Sequence, residues 1–307
     1  MKKIIILALM LILTGCGSAP VKTSNKPQIY TSFYAISDFV EKIGGDKVDV
    51  HNLVPSGTEP HDWEPSSKDM LNLNSADVLF YNGLGMESWI DKVKGAVNGE
   101  KPKYVELSAP FEHTKNDPHI WLDPKNVITM SQEICDTLSD LDPSNEEYYK
   151  ENLATFTAQL NKLDNDFKTQ LSNVSSKKIV VSHEAYSYLC SAYGLEQTSI
   201  DGISADSEPS PAKMKEIADY IKTNNVKYIF FEELVSPKIA QSLADETGVQ
   251  LLALNPFEGL DQEDIDNGAD YIMTQLCWDM EQFKRWLDAI RTAGVTLPVD
   301  VGIMPIL

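Results

Sequence analysis

Residues 145–172 read NEEYYKENLATFTAQLNKLDNDFKTQLS and contain neither glycine nor proline. Their apolar side chains recur every three or four residues, which places them on one face of an α-helix. A continuous helix of this length would extend about 42 Å, because each residue adds about 1.5 Å. We predict that this helix joins two lobes, although a coiled coil has the same pattern. The apolar positions are Leu153, Phe156, Leu160, Leu163, Phe167 and Leu171.

Short β-branched and aromatic runs alternate with helical patterns on both sides of this helix. Residues 76–81 (ADVLFY) are almost continuously apolar, as in strands that are buried on both faces of a parallel sheet. Residues 86–97 have helical spacing. The alternation predicts an α/β fold with two lobes, each built on a mostly parallel sheet. We assign residues 27–144 to the N-terminal lobe, 145–172 to the connecting helix and 173–263 to the C-terminal lobe.

The N-terminus has the pattern of an export signal. Two lysines precede an apolar run at 4–13, which is too short for a permanent membrane span. The sequence LTGC at 13–16 resembles a bacterial lipobox, in which Cys16 becomes the lipidated first residue. We predict that residues 1–15 are a signal peptide and that residues 16–26 tether the protein to the lipid bilayer through Cys16. A plain secretory signal is the alternative.

Composition limits the class of partner. The chain has 26 Lys and Arg against 46 Asp and Glu, a formal charge of -20, which argues against binding to nucleic acid. A negative charge would attract cations, but it is equally explained by the need for solubility. Cys135, Cys190 and Cys277 match no zinc-finger or Cys-x-x-Cys spacing. We predict that Cys135 and Cys190 are buried free thiols and that no disulfide framework exists.

Three of the five histidines occupy rigid or strand-end positions. His61 lies in GTEPHDWEPS (57–66) and His119 in DPHIWLDP (117–124), whereas His183 directly follows the apolar run IVVS (179–182). Imidazole is the commonest zinc ligand, and ligands of parallel α/β sheets bind beyond the carboxyl ends of the strands. We therefore predict that these three histidines form a metal site. His51 and His113 are interpreted as surface residues.

Glu258 is the candidate for a fourth ligand. It follows a predicted strand in LNPFEGL (254–260), although a solvated loop carboxylate would have the same pattern. Three imidazoles and one carboxylate favour zinc over manganese, which prefers oxygen. Metal-binding imidazoles also need acceptors that fix their tautomers. Glu59, Asp62 and Asp123 are the candidates for this second layer.

Five motifs together resemble the zinc-binding lipoprotein receptors of ABC metal importers, the cluster A-I family. They are the two histidine motifs at 57–66 and 117–124, ADVLFYNG (76–83), VSHEAY (181–186) and EPSP (208–211). The resemblance implies two α/β lobes that clamp the metal, joined by a long rigid helix. It implies His61 and His119 as first-lobe ligands, with His183 third, where manganese-selective relatives usually carry glutamate. Glu258 is the best match to the family's acidic ligand.

The function that this resemblance implies is extracytoplasmic capture of Zn²⁺ and its delivery to a membrane permease, by a monomer that is not an enzyme. Three alternatives stay open: a manganese receptor of the same family, a metal-dependent hydrolase, and a surface adhesin. Three histidines around an open metal position could activate water, but the chain has no His-Glu-x-x-His motif.

The C-terminus departs from the receptor pattern. Residues 268–279, 291–299 and 302–307 resemble a fragment of methylenetetrahydrofolate reductase, in which Gln275 matches a folate-contacting position. The rest of that enzyme's barrel has no counterpart in the chain. We therefore interpret residues 264–307 as an atypical C-terminal segment without reductase activity.

Overall fold

The structure is a computed structural model that describes residues 26–97, 101–111, 117–203, 209–232, 234 and 236–259. It contains two four-stranded sheets, and every strand pair is parallel. The strands of the first sheet have the order β2-β1-β3-β4 and those of the second have the order β6-β5-β7-β8. The prediction of two parallel α/β lobes is confirmed. The strands are β1 (Gln28–Thr31), β2 (Asp49–Asn52), β3 (Val78–Tyr81), β4 (Lys103–Glu106), β5 (Lys178–Val181), β6 (Glu196–Ser199), β7 (Tyr228–Phe231) and β8 (Gln250–Ala253).

Helices cover the sheets, and several begin directly after a side chain that caps their first turn. Ser66 and Asp69 form a capping box at the first turn of α2, and Asp123 accepts a hydrogen bond from the backbone of Lys125 at the start of α4. The Ser210 hydroxyl accepts a hydrogen bond from the Lys213 amide at the start of α7. The helices are α1 (Tyr34–Gly44), α2 (Ser67–Leu73), α3 (Ile90–Ala96), α4 (Pro124–Leu141), α5 (Glu146–Leu171), α6 (Ser187–Tyr193), α7 (Pro211–Asn224) and α8 (Lys238–Thr247).

The long helix α5 connects the two sheets, as predicted. Its buried Asp164 accepts hydrogen bonds from Lys168 at 2.8 Å and from the Tyr193 hydroxyl of α6 at 3.3 Å. The same carboxylate lies 3.3 Å from the ammonium group of Lys125 on α4. One carboxylate on the connecting helix is therefore bonded to a helix of each lobe.

The largest apolar core extends across both lobes. It includes Phe33 and Trp121 from the first lobe and Tyr186 and Phe230 from the second. The two lobes consequently meet through buried side chains in the region that follows the carboxyl ends of the strands. In the part of the chain that the structure describes, no helix has both the length and the apolar character required to cross a bilayer.

Candidate metal centre

His61 lies in the loop between β2 and α2. Its backbone amide donates a hydrogen bond to the Glu59 carboxylate at 3.2 Å. The neighbouring Trp63 packs edge-to-face against Trp89, with 5.5 Å between the ring centroids. Ser66 ends the loop as the cap of α2. The loop is thus fixed at both sides of His61, whose side chain is 8% exposed.

His119 follows β4 and is held by a carboxylate two residues before it. Asp117 Oδ1 accepts a hydrogen bond from the backbone amide of His119 at 2.9 Å and another from its Nδ1 at 2.7 Å. The buried Asn82 donates from its side chain to the Pro118 carbonyl at 2.8 Å. Glu87 in turn accepts hydrogen bonds from the backbone amides of Asn82 and Gly83. This network fixes both the His119 backbone and the orientation of its ring.

His183 lies two residues beyond β5, and its ring is oriented from the neighbouring strand. Its Nδ1 donates to Glu232 Oε1 at 2.6 Å. Glu232 comes directly after β7, which pairs with β5. Both side chains are buried. A carboxylate therefore orients each of these two imidazoles, an arrangement that is common around metal-binding histidines.

Glu258 lies in the loop that follows β8. The Tyr186 hydroxyl donates to the Leu254 carbonyl at 2.6 Å, and the Trp121 indole donates to the Pro256 carbonyl at 2.7 Å. The Glu258 side chain is 1% exposed, and neither of its oxygens has a hydrogen-bond donor among the described residues. A buried carboxylate without a donor is costly unless a cation balances it.

The four predicted residues meet at one point. Nε2 of His119 lies 3.2 Å from Nε2 of His61 and 3.1 Å from Nε2 of His183. Oε1 of Glu258 lies 3.0 Å from His119 Nε2, 3.5 Å from His183 Nε2 and 3.8 Å from His61 Nε2. All four atoms are within 4.8 Å of one another. In a tetrahedral zinc site with bonds of about 2.0–2.1 Å, the ligand atoms are about 3.3 Å apart, and the five distances given above are close to this value.

The hydrogen bonds also determine what the rings present to the centre. Because an ionised carboxylate only accepts, the Nδ1 atoms of His119 and His183 must carry hydrogens when they bond to Asp117 and Glu232. In the neutral imidazoles, each Nε2 then offers a lone pair toward Glu258. Lone pairs and a carboxylate would repel one another, so positive charge, from protons on the rings or from a bound metal ion, stabilises this arrangement.

The pKa shifts describe the same competition between protons and a cation. Burial lowers the pKa of His183, but the nearby Glu232 and Glu258 carboxylates outweigh burial and raise the pKa to about 10. Burial likewise opposes the effect of the Asp117 and Glu258 carboxylates on His119, and the pKa of this ring is raised. Burial raises the pKa of Glu258, yet its attraction to the His119 and His183 rings in their protonated forms holds it well below its usual range. A metal ion must therefore displace protons from these rings.

The predicted second-layer residues have different positions. Glu59 lies beside the centre, where burial and the charge of Glu258 raise its pKa to about 9. Asp62 is exposed. Asp123 caps α4, with its carboxylate 2.8 Å from the Lys125 amide. The carboxylates that bond to the rings are instead Asp117 and Glu232.

The remaining predicted side chains lie away from the cluster or outside the described residues. His51 is exposed and its Nε2 lies 3.1 Å from Gln28 Oε1. Cys135 and Cys190 are buried thiols that form no disulfide, as predicted. Cys16, His113, Cys277 and Gln275 all lie outside the described residues.

Comparison with known proteins relates this chain to zinc-uptake proteins. The family model for the periplasmic component A of the zinc-uptake complex (ZnuA) matches residues 29–276. The high-affinity zinc uptake system protein ZnuA of Bacillus subtilis is 35% identical over 311 residues, which cover 94% of this chain and 95% of that protein. Streptococcal zinc-binding AdcA proteins are longer, and the matched region spans only 54% to 58% of their length.

Two solved structures are also similar. The Zn(II)-bound ZnuA-like domain of Streptococcus pneumoniae AdcA superposes with a TM-score of 0.72 at 34% identity, over 87% of this chain and 98% of that one. The laminin-binding protein of Streptococcus agalactiae, described as having adhesin and metal-transporting activity, gives a TM-score of 0.73 at 31% identity with the same coverage. A separate family model, methylenetetrahydrofolate reductase, matches residues 259–307.

Proposed function

Because the chain belongs to the family of the periplasmic zinc-uptake component ZnuA, we propose that it captures zinc outside the cytoplasm and delivers it to the membrane permease of an ABC importer. The observation that carries this proposal is the convergence of four buried side chains on one point. His61, His119, His183 and Glu258 would be the ligands, each through one atom.

The donor set favours zinc among the divalent metals. Three nitrogens and one carboxylate oxygen at tetrahedral spacing are typical of zinc, whereas manganese takes more oxygen ligands and a higher coordination number. His183 is decisive because a glutamate there would supply a second oxygen. We therefore favour zinc over the manganese alternative.

Each lobe supplies two of the four ligands, so separation of the lobes would release the ion. His61 and His119 come from loops of the first sheet, and His183 and Glu258 from loops of the second. When the lobes are closed, four protein ligands complete a tetrahedral shell. When they separate, the ion loses two ligands at once, and its affinity falls steeply.

The same coordination argues against the hydrolase alternative. Catalytic zinc sites have three protein ligands and keep a position for water. Here a fourth protein atom, Glu258 Oε1, lies 3.0 Å from His119 Nε2 and occupies that position. We propose that the protein is a receptor and not an enzyme, with the reductase-like segment at its C-terminus contributing no catalysis.

The proposed location is the outer face of the cell membrane. The lipobox-like sequence before Cys16 supports lipidation, and the pneumococcal relative is named a zinc-binding lipoprotein. We propose that Cys16 anchors a monomeric receptor to the bilayer, where it meets its permease. Growth of a bacterial host with a radioactive fatty acid tests the anchor. We expect label in the intact protein and none in Cys16→Ser.

Adhesion is a second candidate function. It is favoured by the similarity in fold to the laminin-binding protein of Streptococcus agalactiae. Binding of the purified protein to immobilised laminin, with albumin as the control surface, tests this candidate. Saturable binding to laminin alone supports it, and equal signals on both surfaces exclude it.

Metal analysis and competition titration test zinc capture. We expect about one zinc per protein and a loss of affinity of about 100-fold or more in each of His61→Ala, His119→Ala, His183→Ala and Glu258→Ala, since each removes a quarter of the shell. His51→Ala is the matched control, because His51 is exposed and its ring contacts Gln28 and Tyr30 away from the cluster. Unchanged affinity in the four cluster variants would refute the proposal.

A further inference from the structure

Trp121 makes a hydrogen bond from one lobe to the other. Its indole Nε1 donates to the Pro256 carbonyl at 2.7 Å, across 135 residues of sequence. Trp121 lies in the short 3₁₀ turn Ile120–Leu122 of the first lobe, and Pro256 lies in the loop after β8 in the second. The indole is 4% exposed, so water cannot readily replace either partner.

The Trp121 ring is held firmly by the first lobe. Its centroid lies 5.1 Å from that of His119 and 4.8 Å from that of Phe33. Both neighbours are buried, and His119 is itself fixed by Asp117. The indole N–H is therefore presented from the same rigid turn that carries a predicted ligand of the first lobe.

The acceptor lies two residues before Glu258. Between them, Phe257 has a φ of 62°, a left-handed conformation that residues with a side chain seldom adopt and that needs support from surrounding structure. The Asn255 side chain accepts a hydrogen bond from the Phe257 amide at 2.7 Å. Trp121 adds a bond from the opposite lobe at Pro256, at the point where the chain turns Glu258 inward.

We propose that Trp121 is a positioning residue that couples closure of the lobes to the placement of the Glu258 carboxylate. In the closed form the indole holds the Glu258 loop in its inward conformation. When the lobes separate, this hydrogen bond breaks and the loop is free to withdraw the carboxylate. The inference rests on the proposed capture of zinc, and it adds a residue that touches neither the ion nor its ligand carboxylate.

A double-mutant cycle tests this coupling. Trp121→Phe keeps an aromatic ring but removes the N–H, and we expect it to weaken zinc binding about tenfold, because a buried carbonyl loses its donor. The dissociation rate into a chelator should rise by a similar factor. In a Glu258→Ala background the same substitution should change zinc affinity less than twofold, since the group that it positions is gone. Equal losses in both backgrounds would mean that Trp121 acts only through general stability, and would overturn the proposal.

Tyr149→Phe is the control variant. It removes the hydroxyl of a fully buried ring, which donates a hydrogen bond to Asp142 at 3.1 Å outside the metal centre. It should lower the unfolding temperature of the protein but leave zinc affinity unchanged. If His61→Ala weakens zinc binding and Trp121→Phe does not, the positioning role fails while zinc capture stands. If neither His61→Ala nor Glu258→Ala has an effect, both fail.

Hydrogen exchange of the Trp121 indole in the unmodified protein is a second test, independent of how the variants fold. We expect the indole N–H to exchange at least tenfold more slowly with zinc than with chelator present, because closure buries it against the Pro256 carbonyl. Equal rates in the two states would contradict the proposed coupling.

Discussion

Asp117 offers the most informative substitution, because it contacts a predicted ligand without belonging to the metal shell. Asp117→Ala removes an oxygen that accepts from the His119 amide at 2.9 Å and from its Nδ1 at 2.7 Å. Without this acceptor the ring is free to rotate, and it can carry its hydrogen on Nε2, where it blocks the metal. Asp117→Asn retains an acceptor oxygen at this position but removes the charge.

The magnitude follows from the loss of the acceptor that orients the ring. Loss of a carboxylate that orients a metal-binding histidine costs about 10- to 100-fold in affinity, which is about 1.4–2.8 kcal/mol. This agrees with about 1.5–3 kcal/mol for one hydrogen bond to a charged group. We therefore expect about 100-fold weaker zinc binding in Asp117→Ala. We expect about tenfold in Asp117→Asn, because a neutral acceptor gives roughly half the stabilisation.

Competition titration against a chromophoric chelator at fixed pH measures both affinities. Asp123→Ala is the matched control: it removes a carboxylate that caps α4 through the Lys125 amide. It should cost about 1 kcal/mol of unfolding free energy and leave zinc affinity unchanged. Zinc binding by Asp117→Ala that is as tight as in the unmodified protein, or an equal loss of affinity in Asp123→Ala, would refute the orienting role of Asp117.

Zinc affinity should fall as the pH is lowered from about 8 to 5, because the pKa of His183 is raised to about 10 and that of His119 is also raised. Zinc binding should therefore release protons, which calorimetry in buffers of different ionisation enthalpy counts. Zinc binding without proton release would contradict this expectation. Zinc at 100 times its dissociation constant should stabilise the protein by about 2.7 kcal/mol, seen as a higher unfolding temperature that excess chelator reverses and that Glu258→Ala largely lacks. Gly83→Ala should destabilise the protein by more than about 1 kcal/mol in chemical denaturation, because Gly83 has a φ of 87° and an added Cβ would collide with Glu106 and Ser108. Gly57 also has a positive φ, but an added Cβ there has nothing within 4 Å. Gly57→Ala therefore measures the cost of the backbone conformation without the collision.

The sequence was sufficient to locate the cluster because each candidate ligand is placed by a local feature. Proline-rich frames mark His61 and His119, and the end of an apolar strand marks His183. The partners of the rings were harder to find. Glu232 reaches His183 only because β7 pairs with β5, a sheet order that no local pattern encodes. Asp117, two residues before His119, could have been found from its spacing alone.

Two elements were not found correctly from the sequence, and each has a physical reason. Strand β6 reads Glu-Gln-Thr-Ser and lies at the edge of its sheet, so it lacks the apolar run that marks a buried strand. Helical spacing at 86–97 predicted a helix that in fact begins at Ile90. The Glu87 side chain bonds to the amides of Asn82 and Gly83, and this turn replaces the first part of the predicted helix.

The central claim is that four side chains from two lobes enclose a single zinc ion. X-ray absorption at the zinc edge of the loaded protein tests it most directly, because it reports the number and type of bound atoms. We expect four ligands at about 2.0–2.1 Å, three of them imidazoles and one an oxygen. A shell with fewer than three imidazoles, or a six-coordinate shell composed mainly of oxygen, would contradict it.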